Sequence, residues 1–174
     1  LTIASIEDEI ANGVTHGIGL LLAIGGLCSL AVLTAYRGNV WHVVGCTIYG
    51  ASLVILYAAS TLYHSVQRPE LKAILRTVDH AAIFLLIAGT YTPFTLVNLR
   101  GPLGWSLFAA VWTLAIVGIV MKIVWGHRWQ WFSLAMYLAM GWICLFAAKP
   151  LMASIPTGAL WLLLAGGLAY TVGT

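Results

Sequence analysis

Residues 12–36 read NGVTHGIGLLLAIGGLCSLAVLTAY and contain no Asp, Glu, Lys or Arg. The run ends at Arg37, which is followed by a Gly-Asn pair. The hydrocarbon core of a bilayer is about 30 Å thick, and a helix of roughly 20 apolar residues can cross it. This stretch therefore predicts a membrane-spanning α-helix.

The composition of the whole chain agrees with that interpretation. Of the 174 residues, 61% are apolar and only 7% are charged, and the mean hydropathy is +0.98. Soluble domains are usually about 25% charged, because their surfaces must be solvated by water. The composition therefore excludes a soluble globular protein. The net charge of +3 is spread over connecting segments, so we expect no nucleic-acid partner.

Five more apolar runs follow the first, and together they predict an all-α integral membrane protein with a single transmembrane helical domain over residues 1–174. The connections are short, so successive helices should be antiparallel neighbours. Residues 65–72 are interpreted as a polar connector. The six predicted spans are residues 12–36, 40–64, 78–99, 103–124, 131–148 and 156–174.

The basic residues between the spans predict the orientation of the chain. With a cytoplasmic N-terminus, five Lys and Arg residues lie on the cytoplasmic side and three lie on the other side. An excess of basic residues marks the cytoplasmic side of a membrane protein. The five residues are Arg68, Lys72, Arg76, Lys122 and Arg128.

Polar side chains within or beside the spans are informative, because burying them in a membrane is costly unless something compensates. The start of the first span, the end of the second and the start of the third should lie at one membrane level. A polar cluster is therefore predicted at the cytoplasmic end of the bundle. Its members are Glu9, Asn12 and His16 on the first span, Ser60 and His64 on the second, and Asp79 and His80 on the third.

Three of these residues, Ser60, His64 and Asp79, are candidates for a metal or catalytic site. Neutral imidazole is a normal zinc ligand, but a catalytic zinc site usually has three protein ligands, and one convincing histidine is too few. Asp79 could bind the metal or orient its water, and Ser60 could donate a hydrogen bond to an oxyanion. For His16, a hydrogen bond between two helices is an equally good interpretation, whereas for His80 a position at the membrane interface is the favoured interpretation.

Two backbone features accompany the cluster. Gly13 and Gly17 form a GxxxG pattern, which allows two helices to approach closely in a membrane. Pro93 lies late in the third span and should kink it, because proline leaves a backbone carbonyl without its partner. We expect Thr90 or Tyr91 to hydrogen-bond at that gap.

Several of these segments, taken in order, resemble the hemolysin III family, the bacterial branch of the progestin and adipoQ receptor superfamily. The likeness covers essentially the whole chain. The segments that carry it are EIANGVTHG at 9–17, STLYH at 60–64, Asp79-His80, AGTYTPF at 88–94, YLAMGW at 137–142 and GGLAYTVG at 166–173.

The resemblance implies a seven-transmembrane helix bundle with a cytoplasmic N-terminus, of which six spans are present here. It also implies a zinc ion (Zn²⁺) near the cytoplasmic face. In the family pattern His64 corresponds to a zinc ligand, with Ser60 and Asp79 matching the neighbouring serine and aspartate. The two other ligands belong to an H-x-x-x-H in a seventh span, which this sequence does not include.

The resemblance further implies a multi-pass protein of the bacterial plasma membrane that acts on membrane lipid. A zinc-dependent, ceramidase-like lipid amide hydrolase with a role in membrane homeostasis is one expectation. A non-enzymatic receptor-like protein or a pore-forming hemolysin is the alternative, and an oligomer is compatible with either. A simple pore should have a polar stripe through the full depth of several spans, which the sequence lacks.

Overall fold

A computed structural model of the chain describes residues 3–126 and 128–173, with side chains described from Ile6 onward. Residues 1 and 2, His127 and Thr174 belong to the predicted domain but lie outside the described residues. Thr174 is also the last residue of the predicted sixth span. Helices joined by short connections account for the described residues, and no strand occurs among them. The prediction of an all-α protein is confirmed.

Seven α-helices are present in the described residues. A π-helical turn, Phe94–Asn98, continues the third helix, and a 3-10 segment, Ile143–Ala147, joins the fifth to the sixth. The α-helices are α1 (Ile3–Arg37), α2 (Val40–Ser65), α3 (Pro69–Pro93), α4 (Pro102–Trp125), α5 (Gln130–Trp142), α6 (Ala148–Ser154) and α7 (Thr157–Gly173).

Four described stretches are long and apolar enough to cross a membrane. These stretches correspond to the first, second, fourth and fifth predicted spans, and they identify a multi-pass membrane protein. Helix α3, which contains most of the third predicted span, begins with charged turns and gives way to the π-helical turn after Pro93, while α7 has only 17 residues. The count of six spans, the cytoplasmic N-terminus and the single domain therefore stay predictions. The four stretches are Ile6–Arg37, Val40–Ser65, Pro102–Trp125 and Gln130–Ser154.

The third helix begins nine residues before its predicted start at residue 78, at Pro69. Proline is favoured in the first turn of a helix, because its fixed φ suits the helix and its missing N–H would have had no partner there. The interpretation of residues 65–72 as a connector is therefore wrong for residues 69–72. Lys72 and Arg76 lie on α3 and are therefore not loop residues, and Lys122 lies in the last turn of α4, within its predicted span.

Pro93 disturbs its helix as predicted, but the compensating hydrogen bonds differ from the expectation. The backbone changes from α-helix to a π-helical turn directly after this residue. Thr90 Oγ1 donates to Leu86 O within the preceding turn, at 2.8 Å. Tyr91 points instead to the end of α5, where its hydroxyl lies 2.8 Å from Gly141 O and accepts the Cys144 N–H at 2.9 Å. The expectation that Thr90 or Tyr91 would bridge the gap in α3 is wrong.

The helix packing positions α1 against the end of α2. A methyl group built on Gly13 would lie 3.6 Å from Ser65 Oγ, and one on Gly17 would lie 3.8 Å from Thr61 Cγ2. The GxxxG pattern therefore faces α2, as expected of small residues at a helix interface. The apolar core lies farther along, between α3, α4 and α5, and includes Phe84, Ala88, Val111, Ala115 and Met140.

Candidate functional site

The start of α1 and the end of α2 meet through two side-chain pairs. Glu9 Oε2 lies 3.1 Å from His64 Nδ1. One level deeper, His16 Nδ1 lies 2.6 Å from Ser60 Oγ. Glu9 and His16 lie two helical turns apart on α1, and Ser60 and His64 lie one turn apart on α2. Because the two helices are antiparallel, the two pairs are neighbours along the helix interface. These four predicted residues therefore form one cluster.

Lys72 joins this cluster from α3. Its ammonium group lies 2.7 Å from Glu9 Oε2, and it also donates to Tyr63 O at 3.4 Å. The side chains are partly buried, with exposed fractions of 15% for His64, 20% for Glu9 and 22% for Lys72. One carboxylate thus holds side chains from α2 and α3 against α1. Sequence reasoning missed this role, because it treated Lys72 as a loop charge.

His16 makes the contact between helices that the sequence left open. Its ring hydrogen-bonds the hydroxyl of Ser60, whose side chain is buried. The same ring packs edge-on against His64, with ring centroids 5.5 Å apart, and against Tyr57, with centroids 5.9 Å apart. Two imidazoles and one hydroxyl are therefore brought together in a partly buried setting. This is the chemistry of a metal site or of a proton-transfer site.

Asp79 and His80 form a separate pair on α3. Asp79 Oδ2 lies 3.9 Å from His80 Nδ1, which is also 2.7 Å from Arg76 O. The backbone carbonyl of His80 accepts a hydrogen bond from the Tyr137 hydroxyl at 2.7 Å. Within the described residues, no hydrogen bond or ion pair joins Asp79 to Ser60 or His64.

Asn12 is the one predicted member that the structure leaves on the surface. Its backbone carbonyl accepts a hydrogen bond from Thr15 within α1. Asn12 therefore lies outside the partly buried contacts that Glu9 and His16 make with α2. The remaining residues occupy the predicted end of the bundle, with Asp79 and His80 apart from the other four.

The cluster fits part of a zinc site. In the part of the chain that the structure describes, no group of three or more His, Cys, Asp or Glu side chains is placed to hold a metal ion. His64 nevertheless has a carboxylate beside Nδ1, which is the usual support of a metal-binding histidine whose Nε2 faces the metal. The described residues therefore offer one supported ligand, and the zinc site stays a prediction.

Comparison with known proteins decides the family. The sequence model described as "Haemolysin-III related" matches residues 4–174, which is nearly the whole chain. The chain belongs to the haemolysin III-related family. This family assignment confirms the resemblance carried by the quoted motifs.

Individual members of the family give the same result. The chain is 48% identical over 170 residues to a "Hemolysin-3 homolog" of Bacillus subtilis (strain 168), covering 98% of this chain and 80% of that protein. It is also 48% identical over 168 residues to "Hemolysin-3" of Bacillus cereus, covering 97% of this chain and 77% of that protein.

A more distant relative supports the wider superfamily. The human "Monocyte to macrophage differentiation factor" is 29% identical over 174 residues, covering 95% of this chain and 69% of that protein. No solved structure matches the chain significantly. The haemolysin III family and the superfamily assignment are therefore established through sequence.

Proposed function

We propose that this haemolysin III-family protein is a zinc-dependent hydrolase of a lipid amide, acting in the bacterial plasma membrane in membrane homeostasis. One observation carries the proposal: His64 is supported by Glu9, and one turn away Ser60 is hydrogen-bonded to His16. Placing a histidine side chain within a membrane-spanning segment costs free energy, so a histidine found there usually has a function. A partly buried cluster at the edge of the bundle also suits a lipid substrate.

His64 would hold the proposed metal, and the family resemblance implies further ligands from a seventh span. Bound zinc would lower the pKa of a coordinated water to about 7 and so supply a nucleophile. Glu9 would keep the imidazole in the correct orientation and raise its basicity. Lys72 fixes the position of the Glu9 carboxylate from the other side.

The proposed role of Ser60 depends on the protonation of its partner. If Nδ1 of His16 carries the proton, this nitrogen donates to Ser60 Oγ, and the serine hydroxyl remains free to donate. That hydrogen could then stabilise an oxyanion developing on the substrate carbonyl. Asp79, with a side chain only 15% exposed, is the proposed base that would accept a proton from the attacking water and return a proton to the departing amine as the amide bond breaks.

The metal part of the proposal is tested by the zinc content of the purified full-length protein. We expect about one zinc per chain in the wild type and a loss of most of it in His64→Ala. His42→Ala is the matched control, because His42 lies at the opposite end of α2, where it hydrogen-bonds Asn39. Equal zinc in all three proteins would refute the metal site.

The catalytic part is tested with a panel of lipid amides. Asp79→Asn should keep its fold and its zinc but release no fatty acid from a substrate that the wild type cleaves. A wild type that contains zinc and is inert across the panel would contradict the hydrolase and favour a receptor-like protein.

A pore-forming protein is the second candidate, because one relative with 48% identity is named "Hemolysin-3". The buried hydroxyls at the far end of α3 do not favour a polar channel, since Thr92 and Thr95 donate to carbonyls of the same chain segment. Dye release from liposomes separates the candidates. Rapid release by the wild type and by His64→Ala alike would support a pore that is independent of zinc.

A further inference from the structure

A cavity of about 630 Å³ lies between α2, α3, α4, α5 and α7, apart from the Glu9–His64 cluster. Three basic side chains reach its wall: Arg76 and His80 from α3, and Lys122 from α4. Gln130 adds an amide from the start of α5. Nitrogen donors from three helices therefore converge on one space.

Lys122 is the most informative of these residues. Its side chain is only 2% exposed, and it lies in one of the helices long enough to span a membrane. No acidic side chain in residues 6–126 and 128–173 lies within ion-pair distance of it. A buried ammonium group without a counter-charge is strongly unfavourable, particularly inside a membrane protein.

A second positive charge on the cavity wall makes the binding of an anion more favourable. Arg76, on the same cavity wall, is also cationic, so the wall carries two positive charges of its own. Asp79 is directed towards His80, at 3.9 Å, and is not one of the residues that form the wall. An anion inside the cavity would offset part of the positive charge of Lys122 and Arg76.

We propose that this cavity binds the phosphate of an anionic membrane phospholipid. A phosphate group presents several acceptor oxygens in three dimensions and can accept from donors on several helices, whereas a carboxylate has two oxygens in one plane. Arg76 can form a bidentate contact with phosphate, and Lys122 supplies a point charge.

The remainder of the cavity suits an acyl chain. Its wall continues through apolar side chains, including Leu86 of α3 and Leu134 of α5, and the cavity opens to the surface of the bundle. Apolar walls with a few placed polar groups are typical of sites for amphiphilic ligands. A soluble anion would gain nothing from these walls, which is why we assign a lipid phosphate.

The test uses full-length protein in a neutral detergent and measures the thermal unfolding midpoint with added lipid. Phosphatidylglycerol and phosphatidic acid should raise the midpoint more than phosphatidylcholine, since only ligands that prefer the folded state stabilise it. Native mass spectrometry should retain one anionic lipid per chain.

Three variants locate the effect. Lys122→Met, of similar length and apolar, should lose at least tenfold in affinity for anionic lipid, and Lys122→Arg should keep most of it. Lys149→Met is the matched control and should behave as wild type, because Lys149 is exposed on α6. If Lys122→Met does not fold, Arg76→Gln provides the same comparison.

Several results would overturn the proposal. Equal stabilisation by phosphatidylcholine would exclude a charge-selective site, and equal stabilisation by inorganic phosphate alone would exclude a lipid. Tighter binding of oleate than of either phospholipid would exclude a phosphate site. Lipid affinity that is unchanged in Lys122→Met would remove this cavity as its location. Zinc content in these variants keeps this inference separate from the hydrolase proposal.

Discussion

Replacing Glu9 tests the centre of the candidate site most directly. Glu9 Oε2 is shared between Lys72, at 2.7 Å, and His64, at 3.1 Å. Glu9→Gln keeps the size of the side chain and one acceptor oxygen but removes the negative charge. A hydrogen bond to a charged group contributes about 1.5–3 kcal/mol, and partial exposure reduces this value to about 1 kcal/mol for each contact.

Only the contact with His64 bears on zinc binding. A loss of about 1.4 kcal/mol corresponds to a tenfold change in an equilibrium constant, and replacing the partner of a metal-binding histidine typically costs 10–100-fold. We therefore expect Glu9→Gln to weaken zinc binding about tenfold, the lower end of that range, because glutamine can still accept a hydrogen bond. Competition with a chromogenic chelator measures this change in the full-length protein.

Two controls make the result specific. Glu7→Gln changes an exposed carboxylate on the same helix and should leave zinc affinity unchanged. Lys72→Met should lower thermal stability, at a cost of about 1 kcal/mol, but should shift zinc affinity less than Glu9→Gln does. Equal zinc affinities in the Glu9→Gln and Glu7→Gln proteins would refute the supporting role of Glu9.

Two further predictions concern helix packing and are measured as thermal unfolding midpoints in detergent. Gly89→Ala should cost about 1–3 kcal/mol through overpacking, because its new methyl group would lie 2.8 Å from Ser52 Cβ. Adding Ser52→Gly to this variant should restore stability. The control Gly166→Ala, with open space around the new methyl group, should not destabilise the protein. Tyr91→Phe should cost about 1–3 kcal/mol by leaving the Cys144 N–H without its acceptor, whereas Tyr36→Phe, at an 86% exposed position, should be neutral. Equal midpoints within either comparison would contradict the corresponding packing contact.

The positions of the apolar helices could be predicted from the chain alone, because length and hydropathy are local properties of a sequence. Four of the predicted spans correspond to membrane-length helices. The start of α3 was not predicted in the same way, since three charges interrupt the apolar residues at positions 69–76. Helical structure there brings Lys72 to Glu9, although 63 positions separate them in the sequence.

The residues of the predicted polar stripe on α1 differ in their angular position around the helix axis. At 3.6 residues per turn, positions seven apart differ by only about 20° around the axis, whereas positions three apart differ by about 60°. Glu9 and His16 accordingly both face α2, while Asn12 is exposed. Spacing alone predicted a shared stripe, and the direction of α2 decided which members are buried.

The sequence by itself therefore determined the membrane class, the helical segments and the end of the bundle that carries the polar residues. Only the tertiary structure decided the partners: Glu9 with His64 and Lys72, His16 with Ser60, and Asp79 with His80. It also decided that Lys122, near the end of the predicted fourth span, lies buried beside a cavity. Hydropathy depends on neighbours along the chain, whereas contacts between side chains depend on the rotation and register of packed helices.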